Sequence, residues 1–334
     1  MKVLVMGGTR FNGLALVEEL VKHGHSVTIF NRGASKANVP KDVRRLYGDR
    51  HDQAALKSAL GDETFDCVQD ISAYTPADVQ SLVDILEGRM GHYIFASSTV
   101  TYASSGLPPL TEDHIMDRSP LQSEYGMNKI LCEDWLTERH RRTRLPMTIV
   151  PFSMVFGPNN IIHDREQRMF KRLLEGRPVL IQGDGTTLGQ VGHVDDQARA
   201  LRMLMGNPAT YGQKYNLTGR DYFSDEGYVD ACAAAVGVEP NKVLVPAPVM
   251  DDLHASDFTC SRYLVQRMAP NLRPWNESAL ISIDRLRAAI DWEPDYSFTA
   301  SVRQTWQWFM TSGMSESRSF NWAPEDALLT RLQS

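Results

Sequence analysis

The chain has 334 residues, 42% of them hydrophobic, which is enough to bury a sizeable core and favours two lobes over one. A net charge of −6 argues against a general electrostatic attraction to nucleic acid or to an anionic membrane. The sequence shows neither a signal peptide nor an apolar run of membrane-spanning length, so we expect a cytoplasmic protein.

The cysteines give no sign of a disulfide or metal site. Cys67, Cys132, Cys232 and Cys260 lie far apart, without a C-x-x-C pair, and we expect reduced packing residues. No grouping of His, Asp and Glu has clear metal-ligand spacing, so no metal is predicted.

The first residues predict a strand, a glycine turn and a helix. Residues 1–6 form an apolar run, Gly7 to Gly13 form the turn, and residues 14–21 take a helical period. The backbone N–H groups and the dipole at the helix start attract a pyrophosphate, which indicates a dinucleotide site. Arg10 occupies the middle position of the glycine spacing, where it either binds a phosphate or points outward.

A second strand over residues 26–30 ends at Asn31-Arg32-Gly33. In a dinucleotide fold this end meets the adenosine ribose, where an acidic residue favours NAD and an arginine favours NADP. Asn31 and Arg32 therefore indicate NAD or NADP with a modest lean to NADP, since Arg32 is also compatible with an ordinary loop charge. A third strand over 44–47 precedes Asp49 and Arg50, which we expect beside the adenine.

Two further strands end in polar residues. Residues 65–71 lead into Ser72-Ala73, a helix is predicted over 76–86, and residues 93–96 lead into Ser97 and Ser98. Strands that alternate with helices predict a parallel sheet, whose ligands lie at the carboxyl ends of the strands.

The next predicted helix contains Tyr125 and Lys129. Their separation of four residues places both side chains on one helical face. A tyrosine has an ordinary pKa of ~10 and needs a nearby positive charge to act as an acid or base near neutral pH. A solvated pair is the simpler interpretation of this spacing alone, but Ser98 at the neighbouring strand end can bind the same substrate oxygen.

The remainder predicts mixed structure. The predicted elements are a helix over 161–176, a strand over 179–181, a helix over 197–205 capped by Asp195 or Asp196, a return to the large domain at 215–217, and loops over 240–248 and 271–276. His193 is interpreted as a structural hydrogen-bonding residue, and Trp306, Trp308 and Phe309 as core.

These residues together resemble the extended short-chain dehydrogenase/reductase family, which contains the NAD-dependent epimerases and dehydratases. The matching stretches are Gly7 to Gly13, Ser98 with Tyr125 and Lys129, Thr111 to Asp113, Phe156 to Pro158, Gly183 to Thr186, His193 to Asp196, and Asp291 to Pro294. The glycine turn with residues 31–33 is most similar to the branch that holds chloroplast stem-loop-binding proteins and bacterial epimerase-like proteins.

The resemblance implies an α/β fold, a Rossmann-type doubly wound parallel sheet with a smaller α/β C-terminal substrate lobe. It implies a cofactor domain over 1–155 with a returning segment over 187–218, and a substrate lobe over 156–186 and 219–334. Tyr125 would be the acid/base, Ser98 would orient the substrate oxygen, and Lys129 would bind the ribose and lower the tyrosine pKa. The residues expected to bind the cofactor are Gly7, Thr9, Arg10, Phe11, Asn12, Gly13, Asn31, Arg32, Asp49, Arg50, Ile71, Ser72, Ala73, Ser97, Tyr125, Lys129, Pro151, Phe152 and Met154.

Three departures from the family pattern narrow the function. Thr99 and Val100 stand where dehydratases have an Asp-Glu pair, so dehydration is not expected. Met154 stands at an asparagine position and Gly189 at an arginine position, both of which serve the nucleotide of a nucleotide sugar. The arginines that remain to replace that contact are Arg262, Arg267 and Arg273.

The favoured function is an NAD(P)-dependent epimerase of a sugar or sugar-nucleotide-like small molecule. The alternatives are an NADPH-dependent reductase of a sugar-like or other carbonyl substrate, and an RNA-binding or regulatory protein on the same fold. The intact Ser98, Tyr125 and Lys129 and the acidic charge favour the enzyme over the nucleic-acid binder. The family also implies a homodimer through the helix of Tyr125.

Overall fold

The computed structural model describes residues 1–35, 38–162, 164–256 and 275–333. Its strands are β1 Lys2–Met6, β2 Ser26–Asn31, β3 Arg44–Tyr47, β4 Cys67–Asp70, β5 Tyr93–Ser98, β6 Met147–Phe152, β7 Met154–Phe156, β8 Val179–Gln182, β9 Leu188–His193, β10 Gln213–Lys214, β11 Tyr222–Ser224 and β12 Lys242–Val245. Its helices are α1 Phe11–Lys22, α2 Gln53–Leu60, α3 Pro76–Ile85, α4 Glu124–Thr143, α5 Glu166–Leu174, α6 Val194–Leu204, α7 Asp225–Val236, α8 Ala247–Ser256, α9 Asp284–Ile290, α10 Phe298–Thr311, α11 Met314–Ser317 and α12 Ala323–Gln333.

Seven strands in the described part of the chain form one parallel sheet. Their order is β10-β6-β5-β4-β1-β2-β3, with the strand order reversing between β1 and β4. The predicted Rossmann-type doubly wound sheet is therefore confirmed. All of these strands point the same way, so the polar residues that follow β1, β2, β4 and β5 meet at one edge.

Helices cover both faces of this sheet because its strands are apolar on both sides. One core cluster joins β1, β2 and β4 to buried residues of α1, α6 and α9, including Leu16, Leu201 and Leu286. The opposite cluster joins the sheet to α2, α3 and α4, with Leu56 and Leu136 fully buried. The two layers hold the start of α1 and the start of α4 at the carboxyl edge of the strands.

Side chains fix the starts of the helices near this edge. Thr75 and Asp78 form a capping box at the start of α3. The Ser123 hydroxyl caps α4 by accepting from the Gly126 N–H at 3.0 Å. The predicted cap of α6 was wrong: the helix begins at Val194, and His193 caps it by accepting from the Asp195 N–H at 3.2 Å. This cap confirms the structural interpretation of His193.

The C-terminal part of the chain differs from the sequence prediction in two places. Helix α5 begins at Glu166 and not at residue 161, because residues 160–162 form a turn in which the Ile162 N–H donates to the Asn160 side chain at 2.9 Å. The stretch 240–248, predicted as a loop, contains β12, which pairs with β8, and the start of α8. The other predicted loop, 271–276, lies mostly outside the described residues.

Other predictions are confirmed. Residues 213–217 return to the large sheet, where β10 pairs with β6 and Leu217 forms a bridge with Phe152. Phe309 is fully buried, with Trp306 and Trp308 packed against the same cluster. Cys67, Cys132 and Cys232 are buried free thiols, whereas Cys260 lies outside the described residues. No helix within the described ranges is long and apolar enough to cross a membrane.

Candidate active site

A cleft of about 730 Å³ opens at the carboxyl edge of the large sheet. It gathers most of the residues that the sequence assigned to cofactor binding and catalysis. These are Thr9, Arg10, Phe11, Asn12, Gly13, Asn31, Arg32, Ile71, Ser72, Ser97, Ser98, Tyr125, Lys129, Phe152 and Met154.

The glycine turn is packed too tightly for side chains. A Cβ on Gly13 would lie 2.6 Å from Ile71 Cδ1 and 2.8 Å from the Gly8 nitrogen. Gly7 has φ +108°, a conformation that L side chains rarely adopt. This packing brings the end of β1 close to the first N–H groups of α1, the arrangement that holds a pyrophosphate. Arg10 is the exposed residue just before α1, beside these N–H groups.

Asn31 presents a hydrogen-bond donor at the end of β2. Its side-chain oxygen accepts from the Gly33 N–H at 2.8 Å, so the amide nitrogen remains the free group. That nitrogen is buried and has no partner within the described residues, and the same is true of the Asn12 side-chain oxygen. Two buried polar atoms in need of partners beside a glycine cradle fit a bound dinucleotide.

Lys129 is a buried cation, and no carboxylate of a described residue forms an ion pair with its amine. It is 3% exposed, and its Nζ donates to the backbone oxygens of Ala73 at 2.8 Å and Ala96 at 2.6 Å. The rings of Phe95, Tyr74 and Tyr125 surround the amine with centroids 4.6, 5.5 and 5.7 Å away. Burial lowers the pKa of Lys129 to about 8.

Tyr125 lies in the first turn of α4 and remains 41% exposed to the cleft. Partial burial raises the pKa of its phenol to about 12, while a hydrogen bond with Ser98 acts in the opposite direction. Burial thus outweighs the hydrogen bond in setting this pKa, and a lowering of the pKa by Lys129 stays a prediction. The phenol therefore carries its proton at neutral pH.

A buried polar network supports the serine strand. The Ser97 hydroxyl donates to Glu133, and the other oxygen of Glu133 accepts from Lys214 Nζ at 3.1 Å. Glu133 follows Lys129 by four residues, so Tyr125, Lys129 and Glu133 form one stripe along α4. The same carboxylate joins α4, the end of β5 and the edge strand β10.

Five predicted cofactor residues do not line the cleft. They are Gly7, Asp49, Arg50, Ala73 and Pro151. Two of them lie next to residues that line it. Gly7 lies beside the Ser72 side chain, and the Ala73 backbone oxygen accepts from the Lys129 amine. Arg50 instead makes two hydrogen bonds of 2.9 Å to the buried carboxylate of Asp70.

The cleft also contains residues that the sequence did not single out. They include Ser35, Val155, Ile161, Ile162 and Arg165. The spacing of four residues after Lys129 would have indicated Glu133. No comparable signal marks Arg165, because its approach to the cleft depends on packing between distant segments.

The departures from the family pattern have structural counterparts. Thr99 is fully buried and donates to the Phe152 oxygen at 3.2 Å. At Gly189 a Cβ would lie 2.9 Å from the Phe223 ring, so the structure leaves little room for the arginine that the family pattern has at this position. Arg262, Arg267 and Arg273 lie outside the described residues.

Comparison with known proteins agrees with this geometry. The sequence profile of the NAD dependent epimerase/dehydratase family matches residues 3–218. The chain belongs to this family. It is thus an NAD(P)-dependent enzyme of the extended short-chain dehydrogenase/reductase type, whose members are epimerases, dehydratases and reductases.

Several known proteins are similar to this family member over most of its length. The chloroplast stem-loop binding protein of 41 kDa b from Arabidopsis thaliana is 29% identical, covering 91% of this chain and 78% of that protein. The 2'-dehydrokanamycin reductase of Streptomyces kanamyceticus is 24% identical, covering 81% of this chain and 80% of that protein. The structure of UDP-glucose 4-epimerase from Thermotoga maritima, solved with UDP-glucose, superimposes with a TM-score of 0.74 at 18% identity and covers 93% of this chain and 99% of that one.

Proposed function

We propose that this protein is a nicotinamide-dependent epimerase that acts on a carbinol carbon of a sugar-like small molecule, with Tyr125 as the acid/base. The observation that supports it most directly is the meeting of Ser98, Tyr125 and Lys129 in the same cleft as the glycine turn. The family membership, with its epimerase relatives, favours the same chemistry.

The side chains have separate roles in this proposal. A bound nicotinamide ring supplies hydride acceptance and donation. In its phenolate form Tyr125 takes the hydroxyl proton as the carbinol is oxidised, and the phenol formed in this step returns the proton as the ketone is reduced. Ser98 hydrogen-bonds the same substrate oxygen, and Lys129 holds a positive charge beneath the tyrosine ring. The raised pKa of Tyr125 keeps the phenol protonated at neutral pH, so ketone reduction starts from the prevailing form and carbinol oxidation needs the minor phenolate form.

A second candidate is an NADPH-dependent reductase, which the Asn31 geometry favours. The Asn31 side chain presents its amide nitrogen as a donor, and Arg32 and Arg10 line the same cleft. A donor and two cations suit a 2′-phosphate, whereas a ribose 2′-hydroxyl is usually held by a carboxylate. Ketone reduction corresponds to the second hydride step of epimerisation and uses the same three side chains, so the two candidates differ in the fate of the cofactor.

Identification of the released cofactor tests both candidates. The purified protein is denatured, and the released nucleotide and its redox state are identified by chromatography and mass spectrometry. Tightly held NAD supports the epimerase, and exchangeable NADPH supports the reductase. A protein without bound nicotinamide and without affinity for NAD or NADP, but with tight, salt-sensitive RNA binding, contradicts both.

A further inference from the structure

The charged residues of the cleft are all cationic in the described part of the chain. They are Arg10, Arg32, Lys129 and Arg165, and none of the described residues that line the cleft is acidic. This is unusual in a chain with a net charge of −6. Cations in a partly closed cleft concentrate field and attract anionic ligands. A dinucleotide accounts for the cations near the glycine turn and β2, which leaves the role of Arg165 open.

Arg165 reaches the cleft from the segment before α5. Its side chain is 12% exposed, and one terminal nitrogen donates to the Val155 oxygen at 2.7 Å. Val155 follows Phe152 by three residues, and Phe152 is in register with Ser98 on the neighbouring strand. The hydrogen bond therefore fixes the guanidinium on the wall that continues from the catalytic serine.

The acidic group that pairs with the Arg165 guanidinium is Glu166. Arg165 Nε lies 3.3 Å from a Glu166 oxygen, but neither atom forms a hydrogen bond within the described residues. Glu166 is fully buried, and its other oxygen accepts from the Asn160 side chain. Burial raises the pKa of Glu166, against the opposing effect of Arg165. A guanidinium that keeps free donors in this position can bind a further anion.

Apolar side chains also line the cleft, two of them from the segment just before Arg165. Ile161 and Ile162 line the cleft and remain 52% and 45% exposed, and Met154 and Val100 line the cleft with them. The Ile162 N–H donates to the Asn160 side chain, and the Gln167 side chain donates to the Asn160 oxygen at 2.8 Å. These hydrogen bonds fix the segment that carries the two isoleucines, so their exposed side chains form a preorganised apolar surface in the cleft.

We propose that the molecule bound beside Tyr125 carries an anionic group that Arg165 holds and an apolar part that packs against Ile161 and Ile162. This inference rests on the proposed function and deepens it by naming the chemistry of the substrate. The anionic group is either an acidic group of the substrate itself or the diphosphate of an attached nucleotide. Both sources share the same charge recognition at Arg165.

The test uses a matched pair of fluorescent probes and needs no turnover. 8-anilinonaphthalene-1-sulfonate combines an apolar ring system with one sulfonate, and N-phenyl-1-naphthylamine is its analogue without the sulfonate. Both are titrated into the full chain saturated with NADP or NAD, so that the cofactor occupies its own site. Arg165→Gln is compared with Arg202→Gln, in which a partly buried arginine paired with Glu19 lies outside the cleft lining.

The expected result is selective. Arg165→Gln weakens binding of the sulfonate probe by about tenfold or more and changes binding of the uncharged probe by less than about twofold. Arg202→Gln changes neither, and Ile162→Ser weakens both probes. Displacement of the sulfonate probe by UDP assigns the anionic group to a nucleotide diphosphate, and lack of displacement assigns it to the substrate itself.

Two results overturn the inference. One is an Arg165→Gln protein that binds the sulfonate probe as well as the wild type does. The other is an equal loss of cofactor affinity in Arg165→Gln, which would place Arg165 at the cofactor phosphates. A protein that binds no nicotinamide contradicts the proposed function instead, and it is recognised in the saturation step before any probe is added.

Discussion

Two regions of the molecule bury cations in opposite ways. In the cleft, the Lys129 amine contacts two backbone oxygens and three aromatic rings. Between α5 and α12, Arg168 and Arg172 share the buried carboxylate of Glu325, with hydrogen bonds of 2.7 and 2.6 Å. The Trp322 ring lies 4.5 and 5.5 Å from the two guanidinium groups.

This difference suggests that the two regions use their buried charges for different purposes. The charges between α5 and α12 stabilise the fold, and the Lys129 charge is available to a ligand. Glu325 ties the C-terminal helix to α5, and with Asp164, 3.8 Å from Arg168, it supplies two carboxylates for the two arginines, so the charges of this cluster balance without a ligand. The Lys129 amine keeps a charge that dipoles and π faces stabilise incompletely, and its pKa falls to about 8. Such an incompletely stabilised charge is typical of a functional site.

The largest expected effect concerns Tyr125. Tyr125→Phe removes the phenolic proton but keeps the ring beside the Lys129 amine. Turnover should fall by about 10²–10⁴-fold, the usual contribution of a general acid or base, while NAD(P) affinity changes by less than about twofold. Steady-state rates and cofactor titration measure the two quantities. Retained turnover would sink the acid/base assignment.

The second prediction concerns the paired region. Glu325→Gln removes the carboxylate that Arg168 and Arg172 share, and loss of one partner from a buried ion pair costs about 3–5 kcal/mol. Asp326→Asn is the matched control, since Asp326 pairs with Arg177 and its side chain is 55% exposed, and we expect a loss below about 1 kcal/mol. Urea unfolding measures both. Equal losses would show that the buried cluster contributes no more to the free energy of unfolding than an exposed ion pair does.

The third prediction uses the lowered pKa of Lys129. Its pKa is about 8 in the folded protein, against ~10.4 in an unfolded chain. Between these values the unfolded chain holds the proton and the folded chain does not, so stability rises with pH across this window. Relative to Lys129→Met, the wild type should gain on the order of 3 kcal/mol from pH 7 to pH 10.5. Urea unfolding of both proteins at the two pH values measures this gain. The same difference in the free energy of unfolding at both pH values would contradict the description of a buried amine.

The smallest expected effect comes from introducing a carboxylate into the cleft, whose described lining residues include none. Asn31→Asp replaces the free amide donor with an acceptor for a ribose 2′-hydroxyl and a repulsive charge for a 2′-phosphate. The ratio of NAD to NADP affinity should rise by about tenfold. Titration with each cofactor measures it, with Arg10→Gly beside it to determine whether Arg10 contributes. An unchanged ratio in both variants would remove the lean to NADP.

Local patterns in the sequence were enough to predict the large sheet and the residues at its carboxyl edge. Strand β3 coincides with the predicted residues 44–47, and Ser98, Tyr125 and Lys129 share one cleft as expected. These predictions succeeded because strand runs, glycine turns and four-residue helical spacing are local features. The rule that parallel strands end together then supplies the long-range step.

Features that depend on contacts between distant segments were not predictable. Arg50 looked like a cofactor residue because it follows a strand, yet Asp70, 20 residues later, takes up its guanidinium. The pKa of Tyr125 rises because walls from several elements remove water around it. Strand β12 was missed because its three valine and leucine residues become a strand only by pairing with β8.

The short edge strand β10 makes the end of β5 in the cleft sensitive to local unfolding at the edge of the sheet. β10 contains only Gln213 and Lys214, and Lys214 holds the Glu133 carboxylate that binds Ser97. Short edge strands open locally at lower free energy than central strands do. Each such opening exposes Glu133 to water and releases the end of β5 beside Ser98. Amide hydrogen exchange at the end of β5 should therefore follow the opening of β10 and not global unfolding.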